Sequence, residues 1–321
     1  MKETGSGTIG LRPSANSEWF DRLEEIGAQA GYFRRLGHRH AAFFLNQSPT
    51  TLLVTFESVQ SIRQTRPDQM PLGYGIAKSR GWSHLCLIAD GDTWYRDKAV
   101  YAYFDRLAAE AFFDDFDQVV FFGAKMAGYA AAAFSVTAPG ATVIAVQPQA
   151  TLAPRIAGWD PRWPEMRRTC FTDRYGFAPD MTEGAGQVFV IYDPEQVLDA
   201  MHAALFTRPY VTPLPCRNLG RDIAQALDEM HILPSMLAAA CTGSFDAHMF
   251  AIFYRARRNY RPYLRGLLSA LDRDGRAYLA ALLCRNVVAR MEAPKMKARL
   301  EHLENDLAMM GLKLPGARPS R

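Results

Sequence analysis

The sequence predicts an α/β protein, a doubly wound and mostly parallel sheet with a C-terminal helical module, and three observations carry that expectation. Short apolar runs alternate with helical patterns across residues 51–206, the rhythm of βαβ units. Within the runs apolar residues are consecutive rather than alternate, as in strands buried on both faces. Beyond Met230 the strand signal stops and only helical spacing remains.

Trp19, Phe20, Leu23 and Ile26 recur at helical spacing and predict an N-terminal helix. After Gly31 and Gly37, the runs 41–45 and 51–56 flank Asn46-Gln47-Ser48-Pro49, which reads as a β-hairpin. Strands at 85–89, 118–122 and 142–146 then alternate with helices at 99–112 and 127–138. Residues 149–186 are irregular and rich in Pro, Trp, Arg and Asp; a connection that long, placed after a strand end, predicts a lid or binding loop. A strand at 187–192, a helix at 195–206 and a short strand at 211–214 precede Asn218 and a helix opening near Leu219. Phe250, Phe253, Tyr254, Tyr263, Leu264, Leu267, Leu268 and Leu271 mark packed helices, followed by another at 278–291. Met296, Leu300, Leu303, Leu307 and Met310 step by four, three, four and three, a heptad seam of about two heptads. That seam fits packing on the chain's own body, or a protein partner or self-association through 292–312. The expected organisation is an N-terminal helix and hairpin extension (1–49), an α/β domain (50–228), a basic helical module (229–312) and a disordered tail (313–321).

At 321 residues, 49% of them apolar and 12% aromatic, the chain can bury a full core. Residues 1–17 lack an apolar signal core, and no later window approaches the roughly 20 apolar residues of a membrane span, so a cytoplasmic protein without a membrane partner is expected. Five cysteines without a Cys-x-x-Cys pair predict reduced, mostly buried thiols. The net charge of +4 hides an asymmetry: residues 249–321 hold 15 Lys/Arg against 6 Asp/Glu, and the remainder holds 22 against 27. A basic module can attract anionic partners, but no zinc-finger, helix-turn-helix or RNP pattern accompanies it, so no specific nucleic acid is expected.

The densest chemical signal is Val119-Val120-Phe121-Phe122-Gly123-Ala124-Lys125-Met126-Ala127-Gly128-Tyr129, which reads as a buried strand, a sharp turn and a small-residue helix. That is the layout of a nucleophile elbow, whose central residue stands on a strained turn above the sheet with a helix N-terminus behind it. Here the central residue is Lys125, with Gly123 before it and Gly128 after it. A phosphate loop is excluded, because Tyr129-Ala130 follow the second glycine where Lys and Ser or Thr are needed. A lysine amine could form a Schiff base with a carbonyl substrate, though no partner set stands nearby in sequence. Ser83-His84, Cys170 and His202 are other candidate nucleophile or base positions. The pairs His38/His40 and Asp90/Asp92 are isolated and Asp114-Asp115-x-Asp117 reads as a solvated turn, so neither metal nor cofactor is expected.

Four segments, Asp90-Gly91-Asp92-Thr93-Trp94-Tyr95, the elbow around Lys125, Val146-Gln147-Pro148-Gln149 and Tyr192-Asp193-Pro194, carry a family likeness. Together they resemble a bacterial α/β-hydrolase-like family associated with surface polysaccharides and accessory secretion. The resemblance implies an α/β-hydrolase-like sheet, with the family's nucleophile at Lys125, its acid at Asp193 and its histidine at Asn218. Only the acid has the required chemistry, since a Ser-His-Asp device needs a hydroxyl and an imidazole. Asp193 also reads as an N-cap for the helix near Glu195. The expected function is therefore non-catalytic binding of a small molecule, glycan or partner at the elbow cleft, beneath the loop of Trp159 and Trp163 and possible in surface-polysaccharide biology. The expected ligand-binding set is Asp90, Gly91, Asp92, Trp94, Tyr95, Gly123, Lys125, Met126 and Gln149. The alternatives are a residual esterase or acyl-transfer enzyme with a non-standard nucleophile, and an adaptor acting through the C-terminal helices.

Overall fold

The computed structural model describes residues 15–47, 50–312 and 314–315. The expectations for residues 1–14, the Ser48-Pro49 turn and most of the tail lie outside those residues. Among the described residues eight strands form one sheet: β1 (Gly31–Leu36), β2 (His40–Leu45), β3 (Thr51–Ser58), β4 (Ser83–Ala89), β5 (Gln118–Ala124), β6 (Thr142–Val146), β7 (Gln187–Tyr192) and β8 (Val211–Pro215). Their order is β1-β2-β4-β3-β5-β6-β7-β8. β2 runs antiparallel to both β1 and β4, whereas β3, β4, β5 and β6 are mutually parallel where they pair. With helices between the strands, this is the α/β-hydrolase fold the sequence predicts.

The expected hairpin is corrected. β2 does not pair with β3; it turns back on β1, with Gly31 opposite Leu45 and Leu36 opposite His40, and its other edge meets β4. β1 escapes sequence reading because it is an edge strand with little apolar alternation, Gly-Tyr-Phe-Arg-Arg-Leu, and only Leu36 is buried. Two helices, Val59–Thr65 and Leu72–Arg80, connect β3 to β4. Ser58 and Ser61 form a capping box that opens the first of them.

The chain divides into two compact units, residues 1–189 with 208–211, and 190–207 with 212–321. One boundary between the units falls in β7, and β1 and β2 lie in the first unit. In that unit β2, β4 and β6 are buried along their whole length. One face carries an aromatic stack in which Phe104 and Phe134 lie 4.3 Å apart, with Phe56 5.9 Å from each. The other face buries Trp19, Phe20, Leu23, Phe43 and Ile62.

The second unit is helical apart from its strand segments. Helices Arg261–Arg273, Ala277–Val288 and Pro294–Met309 enclose a cluster of Leu264, Ala281, Cys284, Val287, Met296, Leu300, Leu303 and Leu307. Four of the five seam residues therefore pack on the chain's own helices, which is where their burial free energy is realised. Met310, the fifth, is 67% exposed. Among the described residues no helix is long and apolar enough to cross a membrane.

Candidate functional site

The turn after β5 has the geometry of a nucleophile elbow. Lys125 sits at φ 57° and ψ −122°, a backbone state that L-residues avoid and that persists only where the surroundings impose it. Those surroundings are local. Lys125 N–H donates to the Val146 carbonyl (2.8 Å), and its own carbonyl accepts from Tyr129 N–H (3.0 Å), which starts the helix Met126–Phe134. A Cβ at Gly123 would overlap the Ala127 carbonyl, and one at Gly128 would stand 3.0 Å from Val146 O. Both glycines are thus steric conditions for the turn. The Lys125 side chain is exposed, Met126 is half-buried and Gly123 is buried. The N–H of Met126, directly after Lys125, occupies the position from which this fold offers an oxyanion donor.

The loop after β4 and the loop after β6 are brought together by a side-chain hydrogen bond. Trp94 Nε1–H donates to Gln149 Oε1 (3.1 Å), and Gln149 Nε2 donates to Gln147 O (3.3 Å). Trp94, Tyr95 and Gln147 all have positive φ, so both loops are held in strained conformations. The Tyr95 hydroxyl donates to the Glu57 carbonyl (2.9 Å), which anchors it inside the sheet layer. Trp94 packs edge-on against Trp163 at 5.0 Å. Trp94, Tyr95 and Gln149, three of the expected ligand-binding residues, are at most 1% exposed, so their side chains build the site's frame. Asp90, Gly91 and Asp92 are exposed on a turn that Arg39 Nε–H holds through Asp90 O (2.9 Å).

Below this frame His40 Nε2 meets Thr93 Oγ1 at 2.9 Å. Asp97 lies 3.6 Å from His40 Nδ1, yet that nitrogen has no hydrogen-bond partner. Burial is the larger effect and lowers the His40 pKa to about 4 against the attraction of Asp97, so the imidazole is neutral near pH 7 and the contact is not an ion pair.

The 149–186 segment is folded rather than bare loop, with short helical turns at Pro154–Ala157, Pro164–Arg168 and Ala178–Met181. Arg96 pins it: Nε–H donates to Cys170 O (3.0 Å), one terminal amino group to Arg174 O (2.8 Å) and to Tyr129 OH (3.1 Å), and the other pairs with Asp173. A cavity of about 400 Å³ opens beside this pin, lined by Ile156, Phe171, Arg174, Tyr175 and Phe177, and Lys125 does not line it.

Lys125 belongs to the first unit, and Asp193 and Asn218 to the second. Asp193 is fully buried and both carboxylate oxygens are engaged, Oδ1 by Glu195 N–H (2.9 Å) and Oδ2 by Gly220 N–H (2.8 Å). The helix begins at Val197 with Gln196 as its cap, so Asp193 closes an Asx-type turn before it, not the N-cap expected. Its second bond fastens the turn that holds Asn218, at φ 63°, a left-handed state that asparagine tolerates better than most residues.

The other nucleophile candidates are placed as follows. Ser83 Oγ accepts from Gln47 N–H (3.0 Å) and is buried, and His202 is buried in the helix Val197–Leu205. Cys170 is exposed, and the Thr172 hydroxyl lowers its thiol pKa; the other four cysteines are buried and all five are free.

Sequence spacing could not reveal a buried cluster of Glu57, His84 and Cys86, whose potential ligand atoms lie within 4.8 Å of one another. Register explains it, because Thr55 lies opposite Cys86, and Leu53 opposite His84. Its hydrogen bonds do not suit a metal. Thr55 donates its only hydroxyl proton to Glu57 Oε1 (3.0 Å), so the 2.9 Å contact with His84 Nε2 requires the ring to donate there. Turning Nε2 to a metal would leave a proton on Nδ1, which has no acceptor, whereas ligating histidines almost always donate from the other nitrogen. Glu57 instead anchors a helix, accepting Leu72 N–H at 2.9 and 3.0 Å where the helix Leu72–Arg80 lacks a side-chain cap.

No family model matches the chain, and no curated protein matches it. Among solved structures it is similar to the Gap123 glycosylation-associated protein complex of Streptococcus agalactiae (TM-score 0.43, 14% identity, 65% of this chain and 46% of that one). It is also similar to a Pyrobaculum calidifontis esterase (TM-score 0.42, 13% identity, 75% and 96% covered). A third is the capsule O-acetyltransferase of Neisseria meningitidis serogroup A (TM-score 0.38, 11% identity, 64% and 94% covered). The chain spans about half the length of the first of these (46%).

Proposed function

We propose that this chain is a non-catalytic protein of the α/β-hydrolase fold that binds an anionic ligand at the elbow, with an acidic surface glycan as the favoured class. The observation that carries this reading is Lys125, an exposed cation held at φ 57° and ψ −122° where a working hydrolase would hold its nucleophile. A lysine above a helix N-terminus adds positive potential where carboxylates and phosphates bind, and it lacks the hydroxyl of a serine nucleophile. Asn218 adds support: an asparagine side chain cannot take and return a proton as a histidine does. The glycan assignment rests on the sequence resemblance around Trp94, Lys125 and Gln149.

Titration calorimetry with uronic-acid-containing and neutral oligosaccharides tests it. Binding of the acidic series, weakened about tenfold by Lys125→Ala and by higher salt, is expected for one exposed charge contact worth about 1.4 kcal/mol. Equal binding of neutral and acidic sugars, indifferent to Lys125→Ala, would remove the basis of the reading.

A further inference from the structure

A second cavity, of about 280 Å³, lies in the helical unit where the starts of Arg261–Arg273 and Pro294–Met309 meet the end of Ala277–Val288. Its floor is apolar, formed by Leu264, Val287, Met291 and Met296. Its rim carries three cations, Arg261, Arg265 and Lys295, against one carboxylate, Glu292. Arg261 is fixed there by a hydrogen bond to the Glu292 carbonyl (3.1 Å). Both helices that open here have caps without a side-chain hydrogen bond, Tyr260 and Ala293, so their N-terminal dipoles add positive potential at the same mouth. The volume sits just below the range of about 300–1,000 Å³ for small-molecule sites, which restricts an occupant to a single short chain or ring.

We propose that this cavity binds a short amphipathic anion, a carboxylate carrying an acyl chain of medium length, with the chain on the Leu264–Met296 floor and the carboxylate at Arg265 and Lys295. Two features favour a small anion as the occupant. The apolar floor is of fragment size, and the charge around it is mostly of one sign, three cations against one carboxylate. The proposal is independent of any role for Lys125, which belongs to the other unit.

The test is binding of octanoate, 1-octanol and acetate to the full-length protein, followed by heteronuclear NMR shifts of the second unit. Octanoate should bind at least tenfold more tightly than either comparator, since octanol lacks the charge and acetate lacks the chain. Arg265→Gln with Lys295→Gln should bring octanoate down to the affinity of octanol while leaving octanol unchanged. Ala293→Phe, which places a ring into the cavity from a residue that makes no side-chain cap, should abolish both, and retained helical circular dichroism would show that the module is folded. Octanoate binding no tighter than acetate, shifts mapping outside the cavity, or affinity untouched by the double variant would each overturn the proposal. If Ala293→Phe unfolds the module, the double variant and the shift map still decide the question.

Discussion

At the scale of single residues, the elbow is held by absence of side chains as much as by bonds. Gly123 tolerates no Cβ because the Ala127 carbonyl occupies that space, and this carbonyl belongs to the helix that follows Lys125. Gly123→Ala is therefore expected to destabilise by about 3 kcal/mol or more, because backbone, unlike a flexible side-chain end, cannot yield cheaply. Gly75, within the helix Leu72–Arg80, has nothing within 4 Å of a built Cβ, so Gly75→Ala should stabilise by about 0.5–1 kcal/mol. Paired urea titrations measure both, and a neutral Gly123→Ala would contradict the steric account. This much was legible from the sequence, since glycine spacing about Lys125 encodes a local demand. The roles of Trp94, Tyr95 and Gln149 were legible only in part. Their motifs announce that they matter, but nothing in a linear pattern says that they bond one another and are buried, leaving the exposed face to Lys125.

Two buried histidines act at the scale of elements, His84 by tying β4 to β3 and His40 by tying β2 to the loop after β4 through Thr93. His84 on β4 bonds Thr55 on β3, and burial lowers its pKa to about 3; His40 on β2 is lowered to about 4 for the same first cause. An unfolded histidine protonates near pH 6.5, so between there and the folded values the unfolded chain holds more protons. The stability these neutral rings contribute is full above about 6.5 and is lost progressively as pH falls through the folded values. Glu57, whose carboxyl is raised by burial, acts in the opposite sense, so a variant comparison is needed. Urea midpoints should fall from pH 7 to pH 4.5, and His40→Gln should flatten that fall; an unchanged slope would count against the neutral-ring assignment.

The Arg96 pin is a second device of this scale. Its side chain is 1% exposed and holds Cys170, Asp173, Arg174 and Tyr129 at once. Arg96→Met strands those partners, and trypsin should cut at Arg167, Arg168 and Arg174 at least tenfold faster than in the native protein. Equal cleavage rates would show that the 149–186 segment is held by something else. Element type was mostly legible, because β3 to β6 are long apolar runs, while β1 was missed and β2 mispaired. A strand's partner is chosen by the whole sheet, and β2 gains two neighbours, β1 and β4, by running antiparallel to both.

For the whole molecule, the basic stretch read from sequence, 249–321, lies wholly within the second unit. The acidic remainder builds the first unit and part of the second, and the basic stretch includes the last three helices, which have their own apolar cluster. The heptad-like seam was visible as periodicity, but periodicity does not say whose surface it covers. The helix Ala277–Val288 supplies that surface for Met296, Leu300, Leu303 and Leu307, through Ala280, Ala281 and Cys284. The fold class could be read because alternation of strand and helix is a long-range statistical property of 321 residues. Whether chemistry survives on that fold is a property of a few atoms, and at the elbow they are those of Lys125. The most direct measurement is hydrolysis of a short-chain p-nitrophenyl ester panel by the purified native protein beside Lys125→Ala. No turnover above the buffer rate by either protein is the result expected of a binding elbow; native turnover that Lys125→Ala abolishes would contradict it and make Lys125 a catalytic residue.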